Sequence, residues 1–113
     1  MFMTLFQKII DKEIPADIVY EDDLSLVFKD VNPQAPTHLL IIPKKPIAKV
    51  SDMDEEDKDL FGHLMWVAGE VARKSGLDDT FRLVVNNGAK AGQSVFHIHI
   101  HLLSGRPLSW PPG

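Results

Sequence analysis

Phe96-His97-Ile98-His99-Ile100-His101-Leu102-Leu103 sets an imidazole at every second position, with Ile98, Ile100 and Leu102 filling the alternate ones. Polar and apolar residues alternating with period two mark a strand with one wet and one dry face, so the stretch predicts a strand whose three rings form a row. At strand rise, rings two residues apart are anchored about 6.6 Å apart, close enough for neighbouring imidazoles to meet one phosphate group. Histidine has an unperturbed pKa of about 6.5, which keeps its neutral and protonated forms both accessible near neutral pH. One row can therefore supply a nucleophile and a proton donor together.

Upstream of the row, Asn86 to Ser94 is rich in turn formers, and Gly92-Gln93-Ser94 brings small residues and a hydroxyl to the strand entrance. Backbone N–H groups there can approach phosphate oxygens without side-chain obstruction. Phe81 to Val85 reads as a strand leading into that loop. From Asp54 to Ser75, Leu60, Leu64, Val67, Ala68 and Val71 recur at three- and four-residue steps, acids crowd the first turn and Gly76 stands at the stop position. That pattern predicts one long helix.

Further upstream, His38 to Ile42 is a Leu/Ile run suited to a buried strand and ended by Pro43, while Asn32-Pro33-Gln34-Ala35-Pro36 makes a loop. Ile18–Glu21 and Leu24–Lys29 read as strands of a hairpin turning at Asp22-Asp23. Thr4-Leu5-Phe6-Gln7 has the spacing of a capping box, and Leu5, Phe6, Ile9 and Ile10 follow at helical spacing, predicting a short helix that ends near Glu13. The tail Trp110-Pro111-Pro112-Gly113 can neither continue a helix nor sit centrally in a sheet. Strands joined by hairpin-like connections and interrupted by one substantial helix predict a single α+β domain over 1–113, with a mainly antiparallel sheet of about five strands. Phe61, Met65 and Trp66 on the long helix need cover, which makes a homodimer the expected assembly.

Composition narrows the classes of function. The chain has 113 residues, 44% hydrophobic and 25% charged, enough for one small core. A net charge of −4 argues against a nucleic-acid binder held by clustered Lys and Arg, while leaving a single nucleotide open. The absence of cysteine excludes disulfides, thiolate catalysis and cysteine-ligated zinc, and suits a cytoplasmic home. Met1 to Ile10 lacks the apolar core of a signal peptide, and no run approaches the length of a bilayer span.

The row itself admits three readings. A wetted strand face would be served as well by Thr, Lys or Glu. A metal site is possible for paired histidines, but a shell would have to be completed from His38, His63 or Asp30. Covalent catalysis at phosphorus uses all the row offers: a neutral ring attacks while a second holds phosphoryl oxygens or gives a proton.

Gln93-Ser94-Val95-Phe96 followed by His-φ-His-φ-His-φ-φ, with φ apolar, resembles the signature of the histidine-triad superfamily. Phe6–Pro15, Gln34–Lys44, Gly62-His63-Leu64-Met65 and the terminal Trp110-Pro111-Pro112-Gly113 are similar to its small nucleotide-binding branch, HINT. Two other branches match less well: galactose-1-phosphate uridylyltransferases carry Gln where His101 stands, and aprataxin-like members add a zinc finger.

The resemblance implies a dimeric purine nucleoside phosphoramidase that cleaves the P–N bond between AMP or GMP and an amine, with no metal, cofactor, nucleic-acid partner or membrane. It gives His99 as nucleophile, His101 as the phosphate contact, His97 as a mainly structural neighbour and Ser94 as a residue near the leaving amine. Gly92 and Gln93 match the phosphate loop, Asp30 the ribose-binding acid and Asn86 a further ribose or phosphate contact. Leu5, Phe6, Ile9, Phe28 and Val31 match the walls of the base pocket, and His38 matches a fourth histidine beneath the row. The tail, with Trp110, matches one that lies near the neighbouring protomer's site, and Pro107 to Trp110 departs from many relatives. His63 reads as structural or surface. A non-catalytic nucleotide-binding module is the alternative.

Overall fold

The computed structural model describes residues 3–77 and 79–113. In chain order the regular elements are α1 (Leu5–Ile10), β1 (Ile18–Glu21), β2 (Ser25–Lys29), β3 (Thr37–Pro43), α2 (Lys58–Lys74), β4 (Arg82–Val84) and β5 (Ile100–Ser104). Single 3-10 turns lie at Val50–Asp52, Glu55–Asp57 and Ala89–Ala91. The strands form one five-stranded sheet in the order β1-β2-β3-β5-β4, and every neighbouring pair is antiparallel. No helix among the described residues is long and apolar enough to cross a membrane.

The sheet carries apolar layers on both faces, which is why β2 and β3 read as continuous hydrophobic runs. Val27, Leu39, Ile41, Ile100 and Leu102 cluster with Leu64, Val67, Ala68, Val71 and Ala72 of α2. The residues between them, Leu26, Phe28, Leu40 and Ile42, cluster instead with Phe6 and Ile9 of α1. The period-two rule thus sends alternate residues of each central strand to different helices. His101 lies opposite Leu40 in the β3–β5 register, on the α1 side of the sheet.

Three boundaries depart from the sequence pattern. The expected histidine strand begins only at Ile100, so His97 and His99 precede the ladder. The register that pairs Ile41 with Ile100 would carry Ile98 opposite Pro43, which has no N–H to give. The chain leaves the sheet there, and the Ile98 N–H is taken by the Ile47 carbonyl at 2.8 Å. The first helix stops at Ile10, where Lys12 turns to a left-handed φ of +61°. Its cap is half the expected box: the Thr4 hydroxyl accepts from the Gln7 N–H at 3.1 Å, but the Gln7 side chain donates forward to Asp11 Oδ1. The long helix opens with a 3-10 turn before Lys58, tightened where the Asp57 carboxylate accepts from the Asp54 N–H at 2.9 Å and from Lys45 Nζ at 2.6 Å.

Asp22, at the hairpin turn, ties the β1–β2 edge to α2. Its Oδ1 accepts from the Leu24 and Ser25 N–H groups and the Ser25 hydroxyl, and its Oδ2 accepts from Tyr20 Oη at 2.8 Å and His63 Nε2 at 2.7 Å. Burial pushes this carboxyl up, but the hydrogen bonds from His63, Leu24, Tyr20 and Ser25 outweigh it and hold the group well below its ordinary 3.8. Asp22→Ala is expected to cost about 2–3 kcal/mol at pH 7, because several donors lose a charged acceptor at once. A carboxyl depressed in the folded state stabilises above its unfolded pKa and loses that contribution as pH falls, so the gap between wild type and variant narrows below about pH 4. Urea unfolding at pH 7 and pH 3 measures both.

Candidate active site

The histidines come together, though not as a row on one strand. His101, on β5, and His38, near the start of β3, meet across the ladder with Nδ1 of His101 2.9 Å from Nε2 of His38. His99 sits just before β5, its ring centroid 4.9 Å from that of His101 and 5.0 Å from Phe6, edge to face. His97 is 1% exposed and turned inward, with Nε2 2.7 Å from the Pro43 carbonyl. Leaving the ladder thus drops the first ring of the triad into the protein and packs the second against Phe6.

Hydrogen-bond partners fix the tautomers, because a carbonyl only accepts and an amide N–H only donates. His97 donates Nε2–H to Pro43. His99 donates Nδ1–H to the His97 carbonyl at 2.8 Å, so the neutral ring is the tautomer with its lone pair on Nε2. The Gln34 N–H donates to His38 Nδ1 at 3.0 Å, so neutral His38 carries its proton on Nε2 and gives it to His101 Nδ1. Neutral His101 then holds its own proton on Nε2. Burial pulls the His101 pKa down to about 4, helped by repulsion from His99 and His38 and opposed by Asp30. Burial also lowers His38, against the pull of Asp30, and lowers His97. The lowered values favour neutral rings at pH 7, and for His38 and His101 the hydrogen-bond pattern requires them.

A cleft of about 300 Å³ opens in front of His99 and His101. Leu5, Phe6, Ile9, Phe28, Asp30, Val31 and Ser94 line it, all of them residues singled out in the sequence. Ile14, Pro15, Ala16, Lys29, Leu40 and Val95 complete the walls and were not anticipated, since a short apolar run after a helix carries no sign of what it faces. Val31 is 98% exposed and Leu5 51%, so the outer walls are apolar surface open to a guest. Asp30 uses Oδ1 to accept from the Asn32 N–H at 2.8 Å, and its Oδ2 lies 3.5 Å from His38 Nε2.

The remaining candidates, Asn86, Gly92, Gln93 and Trp110, do not line the cleft. Gly92 adopts φ +103°, and a Cβ there would lie 3.3 Å from Asn86 Nδ2, so glycine permits both the turn and the approach of Asn86. Gln93 is 3% exposed: its amide donates to the Ala48 and Val95 carbonyls and accepts from the Gly88 N–H. The backbone N–H groups of Gly92 and Gln93 bond back to Ala89 and Gly88. Both residues therefore brace the loop from within and present the exposed Ser94 at the cleft. Trp110 is 80% exposed and lies outside its own protomer's cleft lining.

Asp30, His38 and His101 each offer a ligand atom within 4.8 Å of the others, the spacing of a possible metal set. The donor chemistry does not fit: with its Nδ1 engaged by the Gln34 N–H, His38 holds a proton on the nitrogen an ion would need. Loading an ion would break both the Gln34 and the His101 hydrogen bonds. Turnover is accordingly expected to survive dialysis against EDTA unchanged, and chelator-sensitive activity restored by zinc would contradict this.

A family model for the HIT domain matches residues 11–108. An uncharacterized HIT-like protein of Synechocystis sp. is 64% identical over 110 residues, covering 97% of this chain and 96% of that protein. Among solved structures, a HIT family hydrolase from Legionella pneumophila superposes with a TM-score of 0.95 at 49% identity, over 98% of this chain and 100% of that one. A histidine triad nucleotide-binding protein from Candida albicans superposes with a TM-score of 0.82 at 30% identity, over 96% of this chain and 83% of that one. The chain belongs to the HIT family, and the four histidines gathered between β3, β5 and α1 include the triad from which that family takes its name.

Proposed function

We propose that this chain is a phosphoramidase of the HINT branch, hydrolysing purine nucleoside 5'-phosphoramidates through a nucleotidyl-histidine. The hydrogen bond from His99 Nδ1–H to the His97 carbonyl carries the reading, because it selects the tautomer whose neutral ring offers the Nε2 lone pair, in a cleft whose other polar groups are donors and one carboxylate. The names of relatives as HIT family hydrolases and a histidine triad nucleotide-binding protein support the chemical class. A cavity of about 300 Å³ with one apolar end and a few convergent polar groups suits a nucleoside-sized ligand. Leu5, Phe6, Ile9, Phe28 and Val31 take the flat base, and Asp30 accepts from the vicinal ribose hydroxyls.

In the first half-reaction His99 Nε2 forms a bond to phosphorus as the P–N bond breaks, and the departing amine takes up a solvent proton relayed by the Ser94 hydroxyl, which the attacking water gives back in the second half. His101 donates Nε2–H to a non-bridging oxygen as negative charge gathers there. Water then attacks phosphorus and expels His99, so phosphoramidate plus water yields nucleoside monophosphate plus amine. Release of AMP from an adenosine 5'-phosphoramidate between pH 6 and 8 tests the proposal. Tight AMP binding without release would leave a binding module in its place.

We further propose a two-fold dimer. Met65 and Trp66 on α2 are 44% and 54% exposed, and among the described residues β4 ends the sheet with one edge unpaired. Deleting Leu108–Gly113 is expected to change preference among leaving amines more than nucleotide affinity, because Trp110 lies outside its own cleft and in the proposed dimer the tail serves the neighbour's. Light scattering that finds a monomer at micromolar concentration, or a truncated enzyme with unaltered amine preference, would refute the assembly.

A further inference from the structure

The turn after β5 folds back over the loop between β2 and β3. Gly105, at φ +98°, passes so near Pro36 that a Cβ added to it would lie 2.8 Å from the proline Cβ and 3.1 Å from Cγ. Arg106 then donates from Nε to the Gln34 carbonyl at 3.0 Å and from Nη1 to the Pro107 carbonyl at 2.9 Å. Gln34 is thus held at both ends, its carbonyl by Arg106 and its N–H by His38 Nδ1. The loop is braced internally as well, with Gln34 Nε2 donating to the Asn32 carbonyl and the Asn32 N–H to Asp30. No side chain of the turn lines the cleft, yet three consecutive contacts connect it to His101.

We propose that the Gly105-Arg106 turn is a positioning element for His101: by clamping Gln34 it holds His38 as the Nε2–H tautomer and so keeps the His101 donor aimed at the phosphoryl site. The phosphoryl part rests on the phosphoramidase reading; the tautomer part does not. A neutral imidazole can carry its proton on either nitrogen, and what selects between them is the partner each nitrogen meets. With the Gln34 amide in place, the alternative tautomer of His38 would set N–H against N–H in a buried site, losing one bond and orphaning a donor, a bias of about tenfold or more. If the loop shifts, that bias goes, and only the Asp30 carboxylate, 3.5 Å from Nε2, still favours the Nε2–H form. A His38 protonated on Nδ1 presents a lone pair to His101, whose proton then moves to Nδ1 and whose Nε2 turns a lone pair toward the phosphoryl oxygens. Arg106 and Gly105 touch no substrate in this scheme and act only through Gln34 and His38.

The test uses Arg106→Ala, Arg106→Lys and Gly105→Ala in the full chain. Two-bond ¹⁵N–¹H correlation spectra of the histidine rings, recorded without ligand, report which nitrogen carries each proton. Wild type is expected to show His38 and His101 as Nε2–H. Gly105→Ala, which must displace the Pro36 ring, is expected to give mixed tautomers at both, with kcat on an adenosine phosphoramidate lowered about tenfold and AMP affinity within about twofold. Arg106→Ala is expected to move the same signals less far, and Arg106→Lys to restore them in part. Arg106 is exposed, so its variants report even if Gly105→Ala does not fold. Wild-type ring spectra in folded Arg106→Ala would overturn the proposal. Altered tautomers in a protein that releases no AMP would uphold the clamp and refute the phosphoramidase.

Discussion

Replacing His99 with alanine is expected, on the proposed mechanism, to lower phosphoramidate turnover on the order of 10⁴-fold or more, since His101, the other imidazole lining the cleft, turns an N–H rather than a lone pair toward it. Affinity for AMP should stay within a few-fold, because Asp30 and the walls made by Leu5, Phe6, Ile9, Phe28 and Val31 are untouched. Single-turnover kinetics and calorimetric AMP binding separate the two quantities. Mass spectrometry of acid-quenched wild type should locate the nucleotidyl adduct on His99. An adduct on His97 would contradict the geometry directly, because that ring is buried and donates its Nε2 proton to Pro43.

The largest loss of stability is expected from Leu102→Ala. Leu102 is fully buried, pairs with Leu39 on one side and Leu83 on the other, and packs in the cluster beneath α2. Truncating a leucine in such a site costs about 3 kcal/mol, within a usual range of roughly 2–5, from lost transfer energy and the cavity left behind. Its position between β3 and β4 leaves little room for collapse, since both neighbouring strands are held by their own ladders. Guanidinium unfolding monitored by far-UV circular dichroism gives the value, and a change below about 1 kcal/mol would show that the cluster repacks. Activity at low temperature should survive, as Leu102 faces away from the histidines.

Much of this was legible along the chain because it is local chemistry. The helical spacing from Leu60 to Val71, the Thr4 cap and the hairpin around Asp22 each depend on residues a few positions apart. The strand containing the triad was harder. Alternation from Phe96 to Leu103 holds as a pattern, but whether it pairs depends on Pro43, more than fifty residues upstream and visible only once the register is known. The same limit applies to Gln93, whose place in the sequence says nothing about which way its amide turns. It applies most strongly to Gln34: the group that orders His38 is a backbone N–H, and no side-chain motif announces a backbone atom.

The shortness of α1 has a dynamic consequence. Six residues are too few to persist as a helix on their own, so α1 exists only while Phe6 and Ile9 remain docked on Leu26, Phe28, Leu40 and Ile42. Its amides should exchange with solvent through a local opening far less costly than global unfolding, whereas those of β3 wait for the whole sheet to come apart. A guest seated between Leu5, Phe6 and Ile9 on one side and the histidines on the other binds only the docked helix, so each tenfold excess of ligand over its Kd suppresses that opening about tenfold. Occupancy of the cleft is thereby recorded first in the hydrogen-exchange protection of one short helix, on a timescale far shorter than the global opening through which the amides of β3 report the same ligand.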